Sequence, residues 1–242
     1  MRLVTGPSDD PRSNVGRQAD DRFDAVVQRL HAEHGVQDTL HRAVEAAVEL
    51  FSGCDHACVS LVHRSHRIDT PAFTDEIARR GDDLQYRLQE GPCLDAIWTE
   101  ETVHSSDLTT ESRWSTWGPL AADELGIRSM LCFQLFTSRD NLGALNLYGD
   151  RTSAFTQTDA TMGFALAAHV SIALAGQRDL QDAHSALADK VMIGHAEGIL
   201  MERYAIGGQQ AWETLARIAV DEQISMETAA SHVVDSRPHR LR

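Results

Sequence analysis

The chain is short of cations, aromatic rings and long apolar runs, and each shortage excludes something. Its 22 basic side chains face 36 acidic ones, a formal net charge of −14, so the molecule as a whole repels phosphate backbones and anionic lipid. Any contact with nucleic acid must be local and shaped. The longest apolar run, residues 162–176, is interrupted by His169 and Ser171 and falls short of the roughly 20 residues that a spanning helix needs, so no membrane partner is expected. The opening residues lack a basic segment followed by an apolar one. Cys54, Cys58, Cys93 and Cys132 therefore read as free thiols of a reducing cytoplasm. A Gly-rich phosphate loop, a His-Glu-x-x-His helix and a Gly-x-Ser-x-Gly elbow are all missing, so the expectation is a protein that is not an enzyme.

What is present is enough apolar content, 42%, to build at least one real core in 242 residues. Residues 1–22 lack apolar periodicity and read as a mobile tail, and residues 237–242 form a short terminal tail. From Phe23 the spacing turns helical: Phe23, Val26, Val27 and Leu30 share a face, and after Gly35 so do Leu40, Val44, Ala47, Val48 and Phe51. Residues 57–63 read as a strand, and 129–137 and 142–148, separated by a short polar gap, as a hairpin. Residues 102–105 suggest an edge strand and 67–73 a weaker one. The fold class is α+β, an antiparallel sheet flanked by helices over residues 23–176.

At residues 156–159, Thr-Gln-Thr-Asp can satisfy the free amides of a new helix, whose pattern then runs to Tyr204. Leu180, Leu187, Gly194 and Met201 recur every seven residues, with Val191 and Gly198 alongside, a spacing that suits helix pairing, although the small seam residues and His184 make a poor long coiled coil; a homodimer is one expectation and a single helix packed on its own domain the other. After Gly207-Gly208 two short amphipathic helices follow, the second with Ser225 as a cap, so residues 177–236 form a linker helix leading into a small three-helix unit.

This tail resembles the ANTAR domain. The matching positions are Ala186, Leu187, Val191, Ile193, Ala196, Gly198, Ile199, Leu200 and Met201, then Ala211, Trp212, Leu215 and Ala219, and finally Ala230, Val233 and Val234. The resemblance implies an RNA-binding regulator that holds hairpin elements of nascent transcripts and so prevents termination. Lys190, Arg203 and Arg217 are the cations available for phosphates, and Trp212 is the available ring. A lone aromatic at the start of an amphipathic helix equally suits a core. Glu197 stands where the family usually has lysine, and residues 180–242 hold nine acids against six bases. An interaction protein without RNA affinity is therefore the competing reading.

Residues 23–176 resemble a GAF domain, on the sheet order, the Gln89-Glu-Gly-Pro-Cys-Leu-Asp-Ala96 segment, the strand at 143–148 and Phe155 to Asp159. The resemblance implies a sensor that binds a small molecule or acts as a dimer scaffold. Ala160 breaks the Phe-x-x-x-Asp-Glu ending of cyclic-nucleotide binders, and the sequence names no cofactor. Loop position suggests Cys93, His104, Asp107, Arg113, Trp114 and Trp117 as pocket residues, with Cys93 a candidate redox sensor. Some proteins of this fold reduce oxidised methionine with cysteines, a role Cys93 could be fitted to only against the regulatory tail. Cys54-Asp-His56-Ala-Cys58 offers too few ligands for a closed metal site.

Overall fold

A computed structural model describes residues 11–63, 66–138 and 140–236. The chain divides into two compact units, residues 1–177 and 178–242.

The first unit opens with α1 (Pro11–His31) and α2 (Val36–Leu50), followed by β1 (His56–Val62), β2 (Ile68–Phe73), α3 (Glu76–Leu88) and α4 (Pro92–Trp98). The mobile tail expected through residue 22 is corrected for residues 11–22, which continue helically into the amphipathic stretch; residues 1–10 and 237–242 lie outside the described residues. Then come β3 (Thr102–Ser105), α5 (Trp117–Leu125), β4 (Ser129–Phe136), β5 (Asn141–Gly149) and α6 (Gln157–Tyr204), which continues into the second unit.

Five strands form one antiparallel sheet in the order β2-β1-β5-β4-β3. Side chains alternate across a strand, and here both faces are covered. Ala57, Val59, Leu61, Phe133, Leu135 and Leu145 point into one core with Leu30 of α1, Val44 of α2, and Leu166, Val170 and Leu174 of α6. Cys58, Met130, Cys132, Ala144 and Tyr148 point into a second core beneath α3, α4 and α5. Helix α6 contains an 18-residue window that matches a membrane span by length and composition, at mean hydropathy 1.3. Its start is capped as the sequence suggested, Asp159 Oδ2 accepting from the Thr156 amide at 2.8 Å and Thr156 Oγ1 from the Asp159 amide at 3.2 Å.

The second unit packs the end of α6 with α7 (Gly208–Glu222) and α8 (Met226–Asp235) around Ala196, Leu200, Ala211, Leu215, Ala229, Ala230 and Val233. Small residues at the contacts let the helices approach closely. Ser225 Oγ accepts from the Thr228 amide at 3.2 Å and caps α8, whereas α7 starts at Gly207 without a side-chain cap.

Candidate functional site

Helix α3 is positioned by a clamp at its start. Asp75 accepts from the amides of Ile77 and Ala78 at 2.9 and 3.1 Å and, through its other oxygen, holds His56 Nδ1 at 2.7 Å. His56 Nε2 lies 3.1 Å from Asp150 at the end of β5. Burial opposes a charge on His56, but the hydrogen bond and field of Asp75, with Asp150 behind, outweigh it and raise its pKa above the ordinary 6.5. Asp75 is correspondingly held below its usual range, its own burial outweighed by His56 and the helix amides. Folding therefore favours the protonated imidazole: its contribution is complete below about 6.5 and fades as pH rises through the higher folded value. The expected result is that wild-type thermal stability declines more steeply than that of His56→Gln as pH is raised from about 6 to about 8.5; parallel profiles in scanning calorimetry would remove the clamp from the pH dependence.

Along the inner face of α3 lies Asp82, fully buried. Its carboxylate accepts from Tyr148 Oη, Asn146 Nδ2 (3.1 Å) and Gln85 Nε2 (3.3 Å) on one oxygen. The other oxygen accepts from Ser60 Oγ (2.6 Å), Thr70 Oγ1 (2.9 Å) and Tyr86 Oη (3.0 Å). The network ties α3 to β1, β2 and β5.

The motif at residues 89–93 is built for this corner. Gly91 takes φ +145° and a Cβ there would lie 2.3 Å from Gln85 Oε1, so only glycine fits. Glu90 Oε1 accepts from the amides of Thr116 and Trp117 at 2.7 and 3.1 Å, capping α5. Pro92 starts α4, and the Cys93 amide donates to Gln85 Oε1 at 2.8 Å.

Against β2, α3 and α4 opens a cavity of about 550 Å3, lined among others by His66, Arg67, Tyr86, Gln89, Asp95 and Trp98. Trp98 is 48% exposed and stacks on His66, ring centroids 6.1 Å apart at 25°. Three rings, a guanidinium, an amide and a carboxylate surround this open volume, a lining of the kind that suits a small polar molecule with a flat apolar part.

None of the six residues assigned to a pocket from loop position lines this cavity. Cys93 is fully buried with Sγ 3.1 Å from Ser60 Oγ, and burial, reinforced by Asp82, pushes its thiol well above the usual range. A redox sensor needs an accessible thiolate, so that role is corrected for Cys93. Trp117 is fully buried and donates to the Gly81 carbonyl at 3.2 Å; Trp114 is buried and donates to Asp95 Oδ2 at 2.8 Å, one residue removed from the cavity. Arg113 covers Trp114 at 4.3 Å, donates to the His104 carbonyl and pairs with Glu111 at 2.6 Å, lowering the Glu111 pKa to about 2. Burial and Arg113 hold His104 below its ordinary range. Asp107 accepts from the Thr109 amide at 2.9 Å and its hydroxyl at 2.6 Å, closing a local turn.

In the second unit the four candidate nucleic-acid residues separate. Trp212 is 46% exposed, next to the buried Ala211, so the core alternative for it is corrected. Arg203 donates to Ser236 Oγ at 3.2 Å and to its carbonyl at 2.9 Å, satisfying the end of α8. Arg217, five residues after Trp212 and thus about 140° round α7, lines an open groove of about 370 Å3 with Tyr204, Ile206, Thr214, Ile218 and Asp221. Lys190 is exposed on α6. Tyr204, 59% exposed at the end of α6, was missed; a ring directly before a helix stop was the available signal.

The first unit is a doubly covered antiparallel sheet with an open cavity beside β2, and the second is a compact helical unit. The GAF domain model matches residues 33–175 and the ANTAR domain model residues 181–234. The chain belongs to the GAF-ANTAR family. No curated protein matches it in sequence. By structure it is similar to the free methionine-R-sulfoxide reductase of Neisseria meningitidis, with a TM-score of 0.55 at 18% identity over 74% of this chain and 99% of that one. It is also similar to the GAF domain of an Acinetobacter phosphoenolpyruvate-protein phosphotransferase, with a TM-score of 0.53 at 18% identity over 66% and 93% of the two chains. At such identities the likeness concerns the fold.

Proposed function

We propose that the chain is a signal-responsive, RNA-binding regulator of transcription antitermination. A small molecule occupies the cavity between His66, Tyr86 and Trp98, and the ANTAR domain of a homodimer holds hairpin RNA in nascent transcripts, in the cytoplasm. The observation that carries the reading is the groove where Tyr204 and Arg217 converge, an exposed ring beside a guanidinium, with Trp212 exposed on the other flank of α7. Ring and cation are the pair with which unstacked bases and phosphates are held. Arg203, engaged at the end of α8, serves the fold; Lys190 is exposed on α6, apart from the groove.

A non-enzymatic role is supported by the thiols. Cys54, Cys58, Cys93 and Cys132 are all buried and all pushed above the ordinary range by burial, the opposite of what thiol catalysis requires.

Titrating the full chain against transcripts bearing tandem small hairpins, at two salt concentrations, tests the proposal. Salt-sensitive, sequence-dependent binding is expected, weakened on the order of tenfold or more by Arg217→Glu and by Tyr204→Ala. Absence of binding at low salt would sink the RNA reading and leave a sensor that acts through proteins.

A further inference from the structure

Helix α6 carries two apolar faces over its second half. One, with Ala196 and Leu200, is buried in the three-helix unit. The other runs through Leu180, His184, Leu187, Val191, Gly194, Gly198 and Met201, spaced alternately four and three residues apart, and lies on the opposite side of the helix. Leu180, Leu187, Val191 and Met201 are 55%, 61%, 49% and 40% exposed.

Gly194 and Gly198 are the telling positions. A Cβ built on either meets nothing within 4 Å, and neither has a positive φ, so nothing inside the chain calls for glycine. Glycine in a helix interior is nonetheless unfavourable relative to alanine. Two such residues within one exposed apolar stripe point to a second backbone that approaches closely there.

We propose that two copies of this chain pair through residues 180–201 of α6 in antiparallel orientation, an inference that rests on the homodimer reading above. Orientation follows from the layers and from the charges. Run antiparallel, Leu187 of each copy packs on Gly198 of the other and Val191 on Gly194, large against small at the central levels, with His184 against Met201 beyond them. Run parallel, glycine would face glycine twice and His184 would face His184. The rim agrees. Lys190, the single lysine of the chain, and Glu197 flank the stripe on one side. Antiparallel pairing sets Lys190 against Glu197 of the other copy, twice by symmetry. Parallel pairing would set Lys190 against His195 and Glu197 against Glu202. The glutamate that stands where the family usually has lysine is thereby the counter-charge of the dimer, and the RNA surface is left to Tyr204, Trp212 and Arg217.

Because the native cysteines are buried, an introduced surface cysteine reports its own neighbours. In the full chain, Leu187→Cys alone is expected not to crosslink under mild oxidation, since its copies lie about 16 Å apart along the axis. A mixture of Leu187→Cys and Gly198→Cys chains is expected to form the mixed disulfide. In sedimentation equilibrium, Lys190→Glu and Glu197→Lys should each weaken the dimer about tenfold, and the combined swap should restore it to within about threefold. A Leu187→Cys homodisulfide, or a swap that fails to restore, overturns the orientation while a dimer remains. A chain that stays monomeric throughout overturns both the pairing and the homodimer reading, and leaves the RNA titration unaffected as a separate test.

Discussion

Replacing Asp82 with alanine is expected to cost the first unit about 3–5 kcal/mol of folding stability, because it takes the shared acceptor from several buried donors at once. Six side chains donate to this carboxylate, from Tyr148, Asn146, Gln85, Ser60, Thr70 and Tyr86. Each donor left unsatisfied costs about 1–3 kcal/mol, but the losses do not add in full. Thr70 Oγ1 lies 2.8 Å from Tyr86 Oη and Asn146 Nδ2 lies 2.8 Å from Ser60 Oγ, so two pairs can partly satisfy one another. Ser60→Ala removes one donor and leaves the acceptor, and should cost about 1 kcal/mol. Urea denaturation of the three proteins measures the series. A loss below about 1 kcal/mol for the alanine variant would mean that the network does not hold α3 to the sheet.

An effect of similar size is expected at Gly143→Ala. Gly143 lies in β5, the central strand, opposite Leu61 of β1 and Leu135 of β4, with φ +146°. A Cβ would stand 1.8 Å from the Ser60 carbonyl oxygen, and backbone cannot rotate away as a side chain does. The strand must shift against its neighbours or the pairing must open, at a cost of about 4 kcal/mol or more. Gly176 is the control: it lies in α6 with nothing within 4 Å of a Cβ, so Gly176→Ala should stabilise by about 0.5–1 kcal/mol. Thermal melts of the two variants should move in opposite directions. Equal small shifts would deny the close approach at Gly143.

Much of the fold was legible because the signals were local. The hairpin of β4 and β5, the capping pair at Thr156 and Asp159 and the cap at Ser225 each depend on residues a few positions apart. Helices α3 and α4 carried no comparable expectation, since Asp82-Asp83 in a polar stretch reads as a solvated face; Asp82 is buried only because strands β1, β2 and β5 bring donors to it. The cavity was illegible for the same reason. His66, Tyr86 and Trp98 come from three different segments, and only the packing of α3 and α4 beside β2 brings them together. Glu90 and Trp117, read as part of a loop motif and a pocket, turn out to be a helix cap and a core residue across that corner. Arg203 looked like a free cation because its partner, Ser236, lies 33 residues away.

The bookkeeping of protons around Tyr86 bears on what the sensor can accept. Tyr86 Oη lies 3.0 Å from Asp82 Oδ2 and 2.8 Å from Thr70 Oγ1, so the one hydroxyl hydrogen of Tyr86 is spent inward, on the carboxylate or on the threonine, and none is left to offer outward. The phenol oxygen therefore presents lone pairs alone. Whatever part of a tenant reaches it must arrive carrying an N–H or O–H, and a carboxylate or phosphate oxygen would meet there only repulsion.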